Sequence, residues 1–208
     1  MNAATGDAEG GRTIAAEFAW ARDLSLGGLF IALGIVLPII FHAVGGGHLG
    51  RAFLPMYLPV LAAAMLVSPL VAFCVGLITP ALSSLLTGMP PVVPTMPMMM
   101  IELSLMGLAA SLLHRRLRLH VVLATAAALV LGRAVMGLSA LAALSLLPQQ
   151  VQESAPEFMR GPLPYVIAAT GVAMPGLVML MVVVPTVVIA VERRSLLRAG
   201  HHRPQAPE

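Results

Sequence analysis

The sequence predicts an all-α integral membrane protein, a six-transmembrane-helix bundle with both termini in the cytoplasm. Three observations lead there. Of 208 residues, 59% are hydrophobic and only 10% charged, against about 25% charged in an ordinary soluble domain. Mean hydropathy is +0.94. Six apolar stretches take up most of the length, each expected to be long enough, at a helical rise of ~1.5 Å per residue, to cross a ~30 Å hydrocarbon core. The arginines, finally, fall overwhelmingly on one side of those stretches.

Residues 1–23 form a polar N-terminal segment carrying Asp7, Glu9, Glu17 and Asp23. The membrane domain follows over 24–191, and 192–208 is a basic tail. The first span is expected from Leu24 to about Val44. Ala43-Val44-Gly45 imitates a leader-cleavage site, but the apolar run exceeds a usual leader core and the residues before it are acidic, so a retained helix is expected. The second span, Phe53 to Val67, and the third, Leu70 to Leu86, are separated only by Ser68-Pro69, where proline forces a tight turn. A proline-rich loop leads to the fourth span, Met96 to Leu113, and the basic stretch His114 to His120 precedes the fifth, Val121 to Leu147. After a polar loop from Pro148 to Gly161 comes the sixth, Leu163 to Val191, in which Pro175 and Pro185 are expected to kink the helix.

Arg12, Arg22, Arg115, Arg116, Arg118, Arg193, Arg194, Arg198 and Arg203 fall on one side and only Arg51 and Arg160 on the other, which by the positive-inside rule makes the first side cytoplasmic. The net charge of +3 then follows from topology and contact with anionic lipid, and no nucleic-acid surface is called for. All twelve basic residues are arginine, so lysine chemistry and a Walker-type phosphate lysine are excluded, and any ATP-driven step would have to be supplied by a partner. Cys74 stands alone inside an apolar run, without a disulfide partner or a multi-cysteine metal site. No metal and no bound cofactor is expected. Gly137-Leu138-Ser139-Ala140 echoes a serine-protease motif, but no later span carries a histidine to act as base, so the chain is not expected to be an enzyme.

The candidate functional residues lie in the outer loops and in two spans. Glu102 and Arg133 are the two charges expected within the spans, and each costs at least ~2.5–3.5 kcal/mol at the centre of a lone helix. They must be compensated, by each other or by a polar substrate. His42 ends the first span, and His48 and Arg51 lie in the glycine-rich loop after it. Tyr57 begins the second span, as an interfacial aromatic or a pocket residue. Gly28 and Ala32 make a small-xxx-small pair that admits a close partner helix, inside the bundle or in another protein.

Ala32-Leu33-Gly34-Ile35-Val36-Leu37-Pro38 with Phe41-His42, then Phe53 to Leu61, Gly76 to Pro91 and Glu102-Leu103, together resemble one family. This is the substrate-binding S component of energy-coupling factor (ECF) vitamin transporters, and the likeness covers about Leu24 to Leu113. The resemblance implies a multi-pass protein of the bacterial plasma membrane that binds a vitamin-like small molecule of the pantothenate, folate or cobalamin-precursor class. It also implies reorientation in the bilayer with a membrane-embedded T component and two cytoplasmic ATPases. The first-helix docking motif of that family, AxxxA, is met here only as Gly28 to Ala32. His42, His48, Arg51, Tyr57, Ser84, Thr87, Glu102 and Arg133 are the residues expected to line or cap the substrate pocket. A self-contained ion-coupled carrier using Glu102 and Arg133, or a structural partner without a ligand, are the rival readings.

Overall fold

The computed structural model describes residues 3–93, 95–146 and 162–201. They are all helical in character, with no strand among them. The helices are α1 (Ala3–Phe53), α2 (Tyr57–Leu66), α3 (Pro69–Thr87), α4 (Thr95–Ser111), α5 (Val121–Leu146) and α6 (Pro162–His201), with a π turn over Leu112–Arg116. Among the described residues, five helical segments are long and apolar enough to cross a membrane: Glu17–Gly46, Pro69–Thr87, Thr95–Arg116, Val121–Ala142 and Leu163–Arg194.

The second expected span is different in kind. The glycine-rich stretch read as an outer loop is instead helical on both sides of a bend at Gly46, whose φ of 65° and ψ of −165° suit glycine. The chain reverses there, and the backbone of Ala52 and Phe53 then lies against Gly176, far along α6, where a Cβ would come within 2.6 Å of the Ala52 carbonyl. Leu54, at φ 49°, and Pro55 break the helix again before α2 starts. The 10 residues of α2 cover ~15 Å, about half of a hydrocarbon core.

That short helix is the centre of the molecule. α1 packs on α3, α3 on α4, α4 on α5, α5 on α6 and α6 on α1, closing a ring; α2 touches α1, α3, α4 and α6 from inside it. Val60, Leu61, Ala62, Ala63, Ala64 and Met65 are all at most 2% exposed. A helix apolar on every side can be stable only when it is covered on every side. The ring helices, by contrast, turn Leu24, Leu29, Val36, Val130, Leu138 and Val182 outward, the surface a lipid environment calls for. The protein is a multi-pass membrane protein.

The closest approach in the ring is α3 against α4. A Cβ on Gly76 would land on the Leu103 carbonyl, and one on Gly107 would sit 2.9 Å from the carbonyl oxygen of Ala72. Small residues one turn apart on each helix let the backbones meet, the usual basis of packing where lipid supplies no hydrophobic drive. α6 runs from Pro162 to His201 with Pro175 and Pro185 inside it.

One end of the bundle gathers the described arginines of the N-terminal side, the π turn and the end of α6. There the α2–α3 turn would leave backbone groups unmet, as helix ends do. Ser68 N–H donates to Asp23 Oδ2 at 2.7 Å, Ser111 Oγ to the Val67 carbonyl at 3.0 Å, and Arg115 Nη1 to the Leu66 carbonyl at 2.8 Å. His114 Nε2 lies 3.3 Å from Glu192 Oε1, tying α6 to the same end.

Candidate functional site

At the break before α2, three helices bring a tyrosine, a carboxylate and a guanidinium together. Tyr57 is the first residue of α2, and its hydroxyl donates to Glu102 Oε2 at 2.8 Å. Glu102 lies two turns into α4, and Arg133 near the middle of α5. Arg133 Nη2 is 3.2 Å from Glu102 Oε1, and the guanidinium carbon stands 5.4 Å from the centroid of the Tyr57 ring. Tyr57 is 4% and Glu102 2% exposed, and the Arg133 side chain 13%. The ion pair answers the cost of two charges inside the bundle, and the ring gives the cation a second, cation–π contact.

The compensation is incomplete. Nη2 and Oε1 are close enough to attract as charges but are not aligned as a hydrogen bond, and among the buried side-chain atoms without a hydrogen-bond partner are Glu102 Oε1, Arg133 Nε and Arg133 Nη2. Arg133 Nη1 has only the weak acceptor Met136 Sδ, at 3.6 Å. Buried polar atoms are normally paired, because an unmade bond in a low dielectric costs about 1–3 kcal/mol.

Helix α6 supplies the facing wall. A Cβ on Gly137 would sit 2.9 Å from Val166, which sets the antiparallel register of α5 and α6. One turn further along both helices, Arg133 and Thr170 share a level. The buried hydroxyl of Thr170 also lacks a hydrogen-bond partner, whereas Thr79, Thr125 and Thr186 bond their own helix one turn back. Tyr165 lies within electrostatic range of both Glu102 and Arg133. Neither Tyr165 nor Thr170 stood out in the sequence. A lone threonine in an apolar span ordinarily satisfies itself, and only the register puts this one at the level of a charge.

Residues 22–191 match the family described as ECF transporter, substrate-specific component. The chain belongs to that family. ECF S components bind small-molecule substrates and work with T and ATPase modules; they are transporter subunits, not enzymes. No curated protein and no solved structure is significantly similar to the chain.

The other residues expected to serve substrate binding in this S component occupy two separate places, and the pair expected to dock the T component a third. The His42 ring donates from Nδ1 to the Pro38 carbonyl at 2.7 Å and lies on Gly50, where a Cβ would be 2.5 Å from the ring, so it closes the fold-back at Gly46. Phe41 and Phe53 reinforce that fold-back with ring centroids 5.8 Å apart. His48 and Arg51 are exposed beside it. Ser84 and Thr87 are at the end of α3, where Ser84 Oγ donates to the Pro90 carbonyl at 2.7 Å and Thr87 Oγ1 to the Ser83 carbonyl at 2.7 Å. Ser83 Oγ donates to the Met89 carbonyl at 2.7 Å and Thr87 Oγ1 accepts from the Met89 N–H at 3.2 Å, so three hydroxyls hold the proline-rich loop after Gly88. Gly28 and Ala32 are exposed on α1, and a Cβ on Gly28 would meet nothing within 4 Å. The loop Pro148 to Gly161 lies outside the described residues. Among the described residues, no three of His, Cys, Asp and Glu gather as metal ligands would.

Proposed function

We infer that this S component is the high-affinity substrate-binding subunit of an ECF-type importer for a water-soluble vitamin or related micronutrient. It acts in the bacterial plasma membrane with both termini in the cytoplasm, together with a T component and two ATPase subunits that use the ATP. The arginine-rich end, with Arg22, Arg115, Arg116, Arg118, Arg193 and Arg194, supports that orientation. The site is the Tyr57–Glu102–Arg133 cluster, and the observation that carries it is the unmet hydrogen-bonding capacity of a buried ion pair at mid-depth. Transporter substrate sites characteristically lie near the midplane, where helices are discontinuous, and α2 begins at such a discontinuity. Polar groups few in number and set in an apolar wall are what a small-ligand site needs. The fold-back bearing His42, His48 and Arg51 and the loop held by Ser84 and Thr87 would cap it from the outer side. Gly28 and Ala32 would form the T-component docking face, since they are exposed on α1 and open to another helix.

Native mass spectrometry of the detergent-purified chain tests the assignment. A stoichiometric small molecule is expected to accompany the protein without ATP, and accumulation in vesicles to require the T component, the ATPases and ATP. Gradient-driven uptake by this chain alone would overturn it.

A further inference from the structure

The stereochemistry of Arg133 goes beyond saying that something polar binds. In a guanidinium, Nε–H and one Nη2–H point from the same edge of the plane, and that edge takes a carboxylate side-on with two parallel hydrogen bonds. In this protein Nε and Nη2 are the two Arg133 atoms without a hydrogen-bond partner, while Nη1, off that edge, is turned to Met136. The Tyr57 ring, 5.4 Å from the guanidinium carbon, steadies the cation without using any of its donors. Beside that edge, whose two nitrogens are themselves buried, Glu102 Oε1 is an acceptor that no donor reaches with hydrogen-bond geometry, although Glu102 is only 2% exposed. Its other oxygen is held by Tyr57. The site therefore offers two coplanar donors and, 3.2 Å away, one acceptor.

We propose that the substrate of this S component is a carboxylate carrying an N–H or O–H donor a few bonds away, with the carboxylate side-on on Arg133 Nε and Nη2 and the donor on Glu102 Oε1. The complement is set by the geometry, because two acceptors in one plane and one adjacent donor answer the three unmet atoms together. Glu102 and Arg133 cancel, so the pair has no net attraction for an anion, and the neighbouring donor on Oε1 is what offsets a second carboxylate beside Glu102. Ligands without an acidic group leave the Arg133 edge unpaired, and simple acids without a neighbouring donor leave Oε1 unpaired. The proposal rests on the substrate-binding reading.

The test compares matched pairs in which only the acid is replaced: pantothenate against pantothenol, biotin against biotinamide, and nicotinate against nicotinamide. Calorimetry in detergent would measure each on the intact chain and on two variants, Arg133→Lys and the charge-balanced Glu102→Gln/Arg133→Gln, with thermal melting to verify that both are folded. Any small molecule found with the purified protein enters the same comparison beside its carboxamide. Because a site built to pair a polar group strongly rejects the analogue lacking it, the acid is expected to bind at least about 100-fold more tightly than its neutral partner. Most of that ratio should vanish in Arg133→Lys, which keeps the charge but loses the fork, and all of it in the double variant. Pantothenate, whose amide N–H lies near its carboxylate, is expected to outrank biotin and nicotinate, which have none so placed. Equal binding of acid and neutral partner, or a preference that survives both variants, would overturn the carboxylate assignment and leave substrate binding standing. A co-purified ligand without an acidic group would do the same. A folded protein with neither a ligand nor any binding would overturn both readings.

Discussion

The arginine-rich end of the bundle and its mid-depth centre both bury polar groups, and they treat them in opposite ways. At the end, Asp23 takes the Ser68 N–H, while Ser111 and Arg115 cover the Val67 and Leu66 carbonyls, each partner answering one backbone group that a helix end leaves open. In the centre, Glu102 and Arg133 are drawn together but retain three atoms without hydrogen bonds. At the end nearly all the polar groups are used in fastening the fold, the Ser68 hydroxyl alone among those named there being left without a hydrogen-bond partner. Polar groups kept for a ligand would retain capacity, and the molecule tolerates that cost in the region proposed for its substrate.

Substitutions at the two regions should separate along that line. Arg133→Gln alone strands the Glu102 carboxylate and is expected to destabilise the protein by about 3–5 kcal/mol. The paired Glu102→Gln/Arg133→Gln variant should recover most of that loss, as read from the midpoints of unfolding in detergent, and a double variant no more stable than the single would show that the two charges are not coupled. Tyr57→Phe keeps the ring under Arg133 and removes one bond to a charged acceptor, worth about 1.5–3 kcal/mol. It should weaken ligand binding as well as folding, so an unchanged dissociation constant would remove Tyr57 from the site. Gly76→Ala forces a methyl group onto the Leu103 carbonyl and should cost about 1–3 kcal/mol through separation of α3 and α4. Smallest is Ser111→Ala, about 0.5–1.5 kcal/mol from one hydrogen bond, with ligand affinity unaltered. A change in affinity there would break the division between the two regions.

Much of this architecture is legible in the sequence, for reasons that differ between elements. The long helices follow from runs of apolar residues that only a membrane or a covered core accommodates. Glu102 and Arg133 stand out because a charge in such a run demands a partner. The central position of α2 is not legible, because an apolar run from Phe53 to Val67 reads the same whether it crosses at the rim or is surrounded. What decides it is the reversal at Gly46 and the break at Leu54 and Pro55, which are backbone events with no hydropathy signal. Tyr57 suits an interfacial aromatic until that break lowers it to the level of Glu102. Thr170 is silent for a similar reason, since its level relative to Arg133 depends on the register of α5 and α6.

The shortness of α2 also bears on how the protein is made. Ten residues span only ~15 Å, too little for stable residence in a bilayer by themselves. Apart from α1, its covering wall comes from α3, α4 and α6, all synthesised later. During insertion, α2 must therefore wait on helices that have not yet left the ribosome, and its docking becomes a late step of assembly. A nascent chain from which α2 and α3 have emerged, while α4 and α6 have not, would present α2 as a segment for insertion factors to hold until the remaining wall arrives.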